Sequence, residues 1–538
     1  MKKYIKINKL FILFSILSLV SCSDNIDIEN VNKPLQQDFY VSVSDFNTGL
    51  NGCYSTLRAP IAYEWMLTEV RSDNTYLNNY GTTNPQNLQI ISNDVFEAPS
   101  FDLFIEQYWA TTYTSIRSVN GLASALGTNY NPATGTIDYG TTSTSFPLSV
   151  TERKRISGEA SFMRAYHYFN LVRVYGGVFL IDKIITPDEA LLIPRSSVAD
   201  IYKFIIADLK NATANCTTAK YSAAVGTGGA ATKWAAEALL AKVYLTLGQK
   251  SDALPLLTDV ITNSGHSLIT AGTAPYSDVF SSTNELNQEI LFAIRFKSGG
   301  LGYGSSLSNL FSSTTDQKIS GLVYPTGTRG GYNNPTPELY GNYATNDKRR
   351  DYNIKTKIVT PVTTTSANSQ LYWAGKHNIA VSVQNDSELD WPVLRYSDVL
   401  LMYCEASNAP TTTASLSYSY LNQVHVRSGA TAIVLANVLA TAGYEKAVAD
   451  ERRWEFALEN QRWFDLLRFK TTMPTVNAKT IMENHFTAMQ PFYSQFDAAY
   501  TTPQLIAKVN NVKFDLSPIP NVEIVTNTVQ KIPNNPGY

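Results

Sequence analysis

The chain has 538 residues and a formal charge of −2, from 43 basic and 45 acidic side chains. That length suits a large core and two to four domain-sized units, and the acid–base balance excludes nucleic acid as a partner, because phosphate binding needs a basic surface. Charged residues make up only 16%, so Thr, Ser, Asn and 32 Tyr fill the polar role, a composition suited to uncharged polar ligands.

Lys2, Lys3, Lys6 and Lys9 precede an apolar stretch over residues 10–20, broken by Ser15 and Ser18. This is the layout of a secretory signal, read here as residues 1–21. The stretch is too short to remain as a membrane-spanning helix. Leu19-Val20-Ser21-Cys22 resembles a bacterial lipobox, so cleavage before Cys22 and lipidation of Cys22 are expected. Several acyl chains anchor stably where one binds only marginally. The alternative is ordinary secretion with a cut near Ser21. Losing the four signal lysines leaves the chain about 6 charges negative. Residues 22–36 are polar and Asn/Asp-rich and read as a lipid-anchored tether. No later segment approaches the length of a membrane helix. Cys53, Cys216 and Cys404 are odd in number and far apart, which gives neither a disulfide framework nor a metal pattern. They read as small buried apolar residues.

Helical periodicity dominates next, and residues 37–263 are expected to form an N-terminal helical part. Residues 44–57 place Phe46, Leu50, Cys53, Tyr54 and Leu57 on one face behind a Ser N-cap. Residues 101–126 read as a second helix. Residues 157–175 are apolar nearly all round, as in a buried helix, and stop at Gly176-Gly177. Ser197 with Asp200 resembles a capping box opening another helix. Residues 232–263 have the spacing of a tetratricopeptide hairpin, with Leu240, Ala241 and Tyr244, a turn at Gly248, then Ala253, Leu257 and Val260. One hairpin cannot bury its own face. The helices around residues 157–175 and 395–408 are its candidate stacking partners, although no clean period links them.

From residue 264 to 390 Gly, Pro, Ser, Thr and Asn rise and periodicity fades, apart from a short candidate strand over residues 289–296. This reads as a loop-rich ligand-binding insert, since loops of that length are uncommon unless functional. Residues 391–538 form a C-terminal helical part, with helices over 395–408, 416–427 and 444–469 and a Pro- and Asn-rich tail. The fold class is therefore mainly α, a scaffold of tetratricopeptide-like helical hairpins with a loop-rich insert and little β structure.

Several segments together resemble the SusD/RagB family of outer-membrane nutrient-binding lipoproteins. They are Asp45-Phe46 through Leu50-Asn51-Gly52-Cys53-Tyr54, and Glu69-Val70-Arg71-Ser72-Asp73-Asn74. Gly158-Glu159-Ala160, Arg164-Ala165-Tyr166 and Tyr175-Gly176-Gly177 follow, then Pro194-Arg195-Ser196-Ser197 and Leu394-Arg395-Tyr396-Ser397-Asp398. The most specific is Glu451-Arg452-Arg453-Trp454-Glu455 running into Arg462-Trp463-Phe464-Asp465 and Arg468. Asn460 stands where the family usually has Gly. The resemblance implies a cell-surface lipoprotein on the outer membrane, held by its lipid anchor. It implies a protein that binds oligosaccharides, or in some members peptides, and passes them to a SusC-like TonB-dependent β-barrel transporter. The acidic residues behind Cys22 look similar to the family's surface-export signal.

The charged motif residues read as structural, with Arg462–Asp465 and Asp465–Arg468 as i,i+3 pairs, and Glu159, Arg164 and Arg173 belong with them. Sugar binding calls for flat apolar rings and planar polar groups. The candidates are Trp65, Asn74, Tyr76 and Tyr80 around the first turn, and Tyr303, Tyr324, Arg329, Tyr332, Asn333, Tyr372 and Trp373 in the insert. The five His show no metal-ligand spacing, there is no nucleophile elbow or phosphate loop, and nothing requires a cofactor or metal. The expected activity is binding without catalysis. Plentiful carboxylates leave a glycoside hydrolase open, as they do a purely structural scaffold.

Overall fold

The structure, a computed structural model, describes residues 39–76, 85–221, 228–313, 322, 324–359 and 369–538. The signal, Cys22, the tether up to residue 36, and Tyr80 lie outside the described residues. About 51% of the chain is helical and 8% is strand, so the fold is mainly α, as the periodicity indicates. Helices of eight or more residues are α1 (Val43–Thr56), α2 (Arg58–Leu67), α3 (Pro85–Asp94), α4 (Leu103–Ala125), α5 (Val150–Tyr175), α6 (Val198–Asn215) and α7 (Lys233–Thr246). They continue with α8 (Lys250–Asn263), α9 (Tyr396–Ala406), α10 (Leu416–Arg427), α11 (Thr441–Glu455), α12 (Arg462–Thr472), α13 (Ala478–Tyr493) and α14 (Thr502–Val509). None of the described helices is long and apolar enough to cross a membrane.

Local chemistry sets the helix ends. Ser42, not Ser44, caps α1: its hydroxyl accepts the Asp45 N–H while the Asp45 carboxylate accepts the Ser42 N–H at 2.8 Å. Ser149 and Glu152 form the same reciprocal cap on α5. This helix therefore starts well before residue 157, where the all-round apolar pattern begins, because its first turns are partly solvated. It ends at Gly176, whose φ of +69° suits glycine. Gly177 follows for a different reason, as a Cβ there would lie 2.6 Å from the Ser196 carbonyl oxygen.

The hairpin α7–α8 is flanked on one side as the sequence proposes, by α9, but on the other by α6 rather than by the 157–175 helix, because α6 lies between α5 and α7. α6, paired with α5, packs on α7, and α9, paired with α10, packs on α8. The missing period has a simple cause, since the insert separates α8 from α9. The strands β1 (Thr75–Tyr76), β2 (Thr128–Asn131) and β3 (Thr136–Tyr139) precede the insert, and the unit Ser42–Tyr538 is continuous across it, because strand β4 (Ile290–Ile294) pairs with strand β8 (Trp391–Arg395). The insert is less loop-like than composition implies. It holds short helices and an antiparallel hairpin of β6 (Ile354–Val359) and β7 (Ser369–Ala374).

The expected helix over residues 444–469 is interrupted between α11 and α12. Leu458 and Asn460 have φ of +65° and +58°, and their N–H groups donate to the two oxygens of buried Glu69, at 2.8 and 2.9 Å. The break aims the motif charges inward. Glu451, Arg452, Arg453, Glu455, Glu459, Arg462, Asp465 and Arg468 are all buried, and each is ion-paired. Asp465 does pair with Arg468, at 2.8 Å. Arg462 instead reaches Asp73. Arg164 pairs with Asp208, Glu159 holds Arg155 and the Tyr54 hydroxyl, and Arg173 lies between the rings of Phe169 and Phe464. Cys53, Cys216 and Cys404 are unbridged and buried.

Candidate functional site

The structure sorts the candidate residues into three groups. The first is internal. Trp65 on α2 has no exposed surface. It stacks on Tyr332 at 6.1 Å and meets Phe104 and Phe311 edge-on. Tyr332 is 8% exposed and donates its hydroxyl to Gln86 at 2.8 Å. Asn74 is buried, donating to Glu69 and accepting from Arg453. Tyr76 is buried on β1 (Thr75–Tyr76), paired with β5 (Asn334–Pro335), and meets Phe492 edge-on. Asn333 is buried at φ +56°, with no hydrogen-bond partner for its side chain among the described residues. These residues lack the solvent-facing surface expected of loop aromatics, because helix and strand packing turned them into the core that carries the insert.

The second group is split by strand alternation. Tyr372 and Trp373 are consecutive on β7 and face opposite sides of the hairpin. Tyr372 joins Leu339, Tyr343, Ile354 and Ala457, whereas Trp373 joins Leu322, Leu371 and half-buried Tyr324. The Arg329 guanidinium lies 4.9 Å from the Tyr324 ring. Tyr324, Arg329 and Trp373 are thus brought together, and Tyr372 is excluded from their face.

The third group is Tyr303 alone, which keeps 47% of its surface exposed. Its ring covers the guanidinium of Arg58, the first residue of α2, at 4.6 Å. Arg58 is fixed from behind, donating Nη1 to the Arg295 carbonyl at 3.1 Å and Nη2 to Ser55 Oγ at 2.5 Å. Ring and guanidinium border a cleft of about 370 Å3 with Ala62, Ser305, Ser306 and Asn385. On its other side Arg58 borders a cavity of about 660 Å3 lined by Asn47, Asn51, Tyr54, Arg155, Glu159 and Arg295. Arg58 lines both hollows, and the surface around it is the candidate groove. It offers an exposed ring, hydroxyls, amides and guanidinium forks, which is the equipment for gripping a polyol. A further cavity of about 660 Å3, between α11 and α13, has no Phe, Tyr or Trp in its lining, and its Asp73, Arg453 and Arg462 are held by one another.

Sequence reasoning named Tyr303 but missed Arg58, Asn385, Asn51 and Arg155. Arg58 opens a helix 245 positions before Tyr303, and no local spacing signals that the two meet.

Profiles of known families match both ends of the chain. One described as "SusD family" covers residues 363–538, and one described as "Starch-binding associating with outer membrane" covers residues 27–245. The chain belongs to the SusD/RagB family. It is similar to SusD-like protein P2 of Formosa agariphila, 24% identical over 570 residues and all of both chains. A laminarin-binding SusD-like protein superposes with a TM-score of 0.68 at 21% identity, covering 93% of this chain and 100% of that one. Surface glycan-binding protein A from Bacteroides thetaiotaomicron, solved with laminarihexaose, gives 0.67 at 17% identity, covering 92% and 99%.

Proposed function

We propose that this protein is a cell-surface lipoprotein that binds oligosaccharides in the Tyr303–Arg58 groove and delivers them to a SusC-like TonB-dependent transporter. The observation that carries the binding step is the half-exposed Tyr303 ring, fixed over Arg58 and lining a cleft with Ser305, Ser306 and Asn385. A ring held this way offers a preformed apolar face to the C–H side of a sugar, and the surrounding forks and hydroxyls answer its hydroxyl groups. Preformed sites bind without the entropy cost of ordering the receptor. The related proteins crystallised or named with laminarin and laminarihexaose support a glycan as ligand.

Binding without turnover is part of this reading, and the carboxylates around Arg58 are compatible with it. Paired-carboxylate hydrolysis needs two acids flanking the scissile bond. Among the described lining residues of the groove the only acid is Glu159, which is held by Arg155 and Tyr54. Anchoring through Cys22 and hand-over to a β-barrel rest on the lipobox and the family. Titration calorimetry of the purified chain against laminari-oligosaccharides, xyloglucan oligosaccharides and peptides tests the reading. Heat from a glycan without product release supports it, and binding of peptides alone, or release of shortened sugars, overturns it. Recovery of no large β-barrel on affinity capture from detergent-solubilised membranes removes the transporter.

A further inference from the structure

The hollows that Arg58 borders are rich in guanidinium groups. Their lining has three, Arg58, Arg155 and Arg295, against the single carboxylate of Glu159.

The three cations are not equivalent. Arg155 is paired with Glu159 at 2.5 Å. Arg295 is paired with Glu285 and Asp390. Arg58 makes no ion pair among the described residues; its contacts are a carbonyl, a hydroxyl and a ring. Of the five N–H donors of a guanidinium, these hydrogen bonds occupy two, and Arg58 lines both hollows. A half-buried cation with an open planar fork and no counter-charge is matched by an oxyanion that accepts two parallel hydrogen bonds.

We infer that the groove selects glycans bearing anionic groups, uronic-acid carboxylates or sulfate esters, with the anion on Arg58 and the neighbouring sugar face on Tyr303. The inference rests on the glycan-binding reading and narrows its substrate class. It departs from composition, which favours uncharged ligands, because selectivity here is set by one local charge rather than by the average surface. A neutral sugar leaves the Arg58 charge unanswered, whereas charge-assisted hydrogen bonds are roughly twice as strong as neutral ones.

The test is calorimetry on the full folded chain with three probes of equal length: tetragalacturonate, a sulfated carrageenan tetrasaccharide and laminaritetraose. At least one acidic probe is expected to bind about tenfold tighter than laminaritetraose, and that advantage is expected to shrink as salt rises from about 50 to about 500 mM. Which acidic probe wins separates carboxylate from sulfate. Arg58→Gln is expected to abolish the advantage and Arg58→Lys to keep part of it. Arg58 also braces Ser55 and Arg295, so a second variant leaves these contacts alone: Asn51→Asp, at an exposed position in the groove lining, adds a charge of the ligand's own sign and is expected to weaken the acidic probes several-fold more than laminaritetraose. Laminaritetraose binding as tightly as both acidic probes overturns the inference and leaves glycan binding standing. So does acidic binding that neither Arg58→Gln nor Asn51→Asp alters. Failure of all three probes takes down both.

Discussion

Arg462 and Asp73, 389 positions apart, are joined by two hydrogen bonds, Nε to Oδ1 at 2.7 Å and Nη2 to Oδ2 at 3.0 Å. The same carboxylate also pairs with Arg453 at 3.1 Å. Burial pushes the Asp73 carboxyl up, but Arg453 and Arg462 outweigh it and hold the group below its ordinary range. Asp73→Ala leaves the Arg462 guanidinium buried without its counter-charge. A broken buried pair of this kind costs about 3–5 kcal/mol, so the denaturant midpoint is expected to fall steeply. A loss under about 1 kcal/mol would show that the pair contributes no more than a surface bridge.

Asn460 has φ of +58°, in the left-handed region. Asn tolerates the left-handed region and branched side chains do not. Asn460→Gly is expected to stay within about 0.5 kcal/mol of the parent, and Asn460→Val to lose about 1–2 kcal/mol. Equal stability of both variants in urea titrations would rule out backbone conformation as the constraint.

Trp373 and Tyr303 are expected to fail in different ways. Trp373 is 5% exposed within a core cluster, so Trp373→Ala removes about 3–5 kcal/mol of stability. Tyr303→Ala removes a half-exposed ring, costs at most about 1 kcal/mol of stability, and weakens glycan binding. Thermal melts beside calorimetry separate the two, and unchanged glycan affinity in Tyr303→Ala would take that ring out of the site.

His167 is buried on α5, and burial alone lowers its pKa from 6.5 to about 3. The unfolded chain then binds one more proton than the folded chain between these values. The contribution of neutral His167 is complete above pH 6.5 and is lost as pH falls toward 3, at about 1.4 kcal/mol per pH unit. His167→Leu is expected to give a stability profile shallower by that slope between pH 6 and about 4, measured by denaturant titration at each pH. Parallel profiles would mean that His167 does not take up this proton.

Lipidation makes a simple fractionation prediction. Cys22→Ala is expected to move the protein from the membrane pellet to the soluble fraction, because a chain without acyl groups has no strong hold on a bilayer. Retention in the pellet would show attachment by another route.

The helical scaffold, the α7–α8 hairpin, its neighbour α9 and the family were legible along the chain, because these rest on short-range periods, caps and motifs that persist wherever the helix lands; that α6 rather than α5 lies against α7 was not. Capping pairs three residues apart and apolar positions repeating every turn are local facts. The fate of each polar or aromatic residue outside that periodicity was settled by long-range packing. Trp65 and Tyr332 read as loop rings and became core by stacking on each other. Arg462 read as a partner for Asp465 and crossed to Asp73, because the left-handed turn at Leu458 and Asn460 redirected α12. Arg58 carried no signal at all and became the open cation of the groove when Tyr303, from the irregular insert, settled over it. Exposure and charge pairing depend on which distant segments meet, and no pattern along the chain encodes a meeting across hundreds of residues.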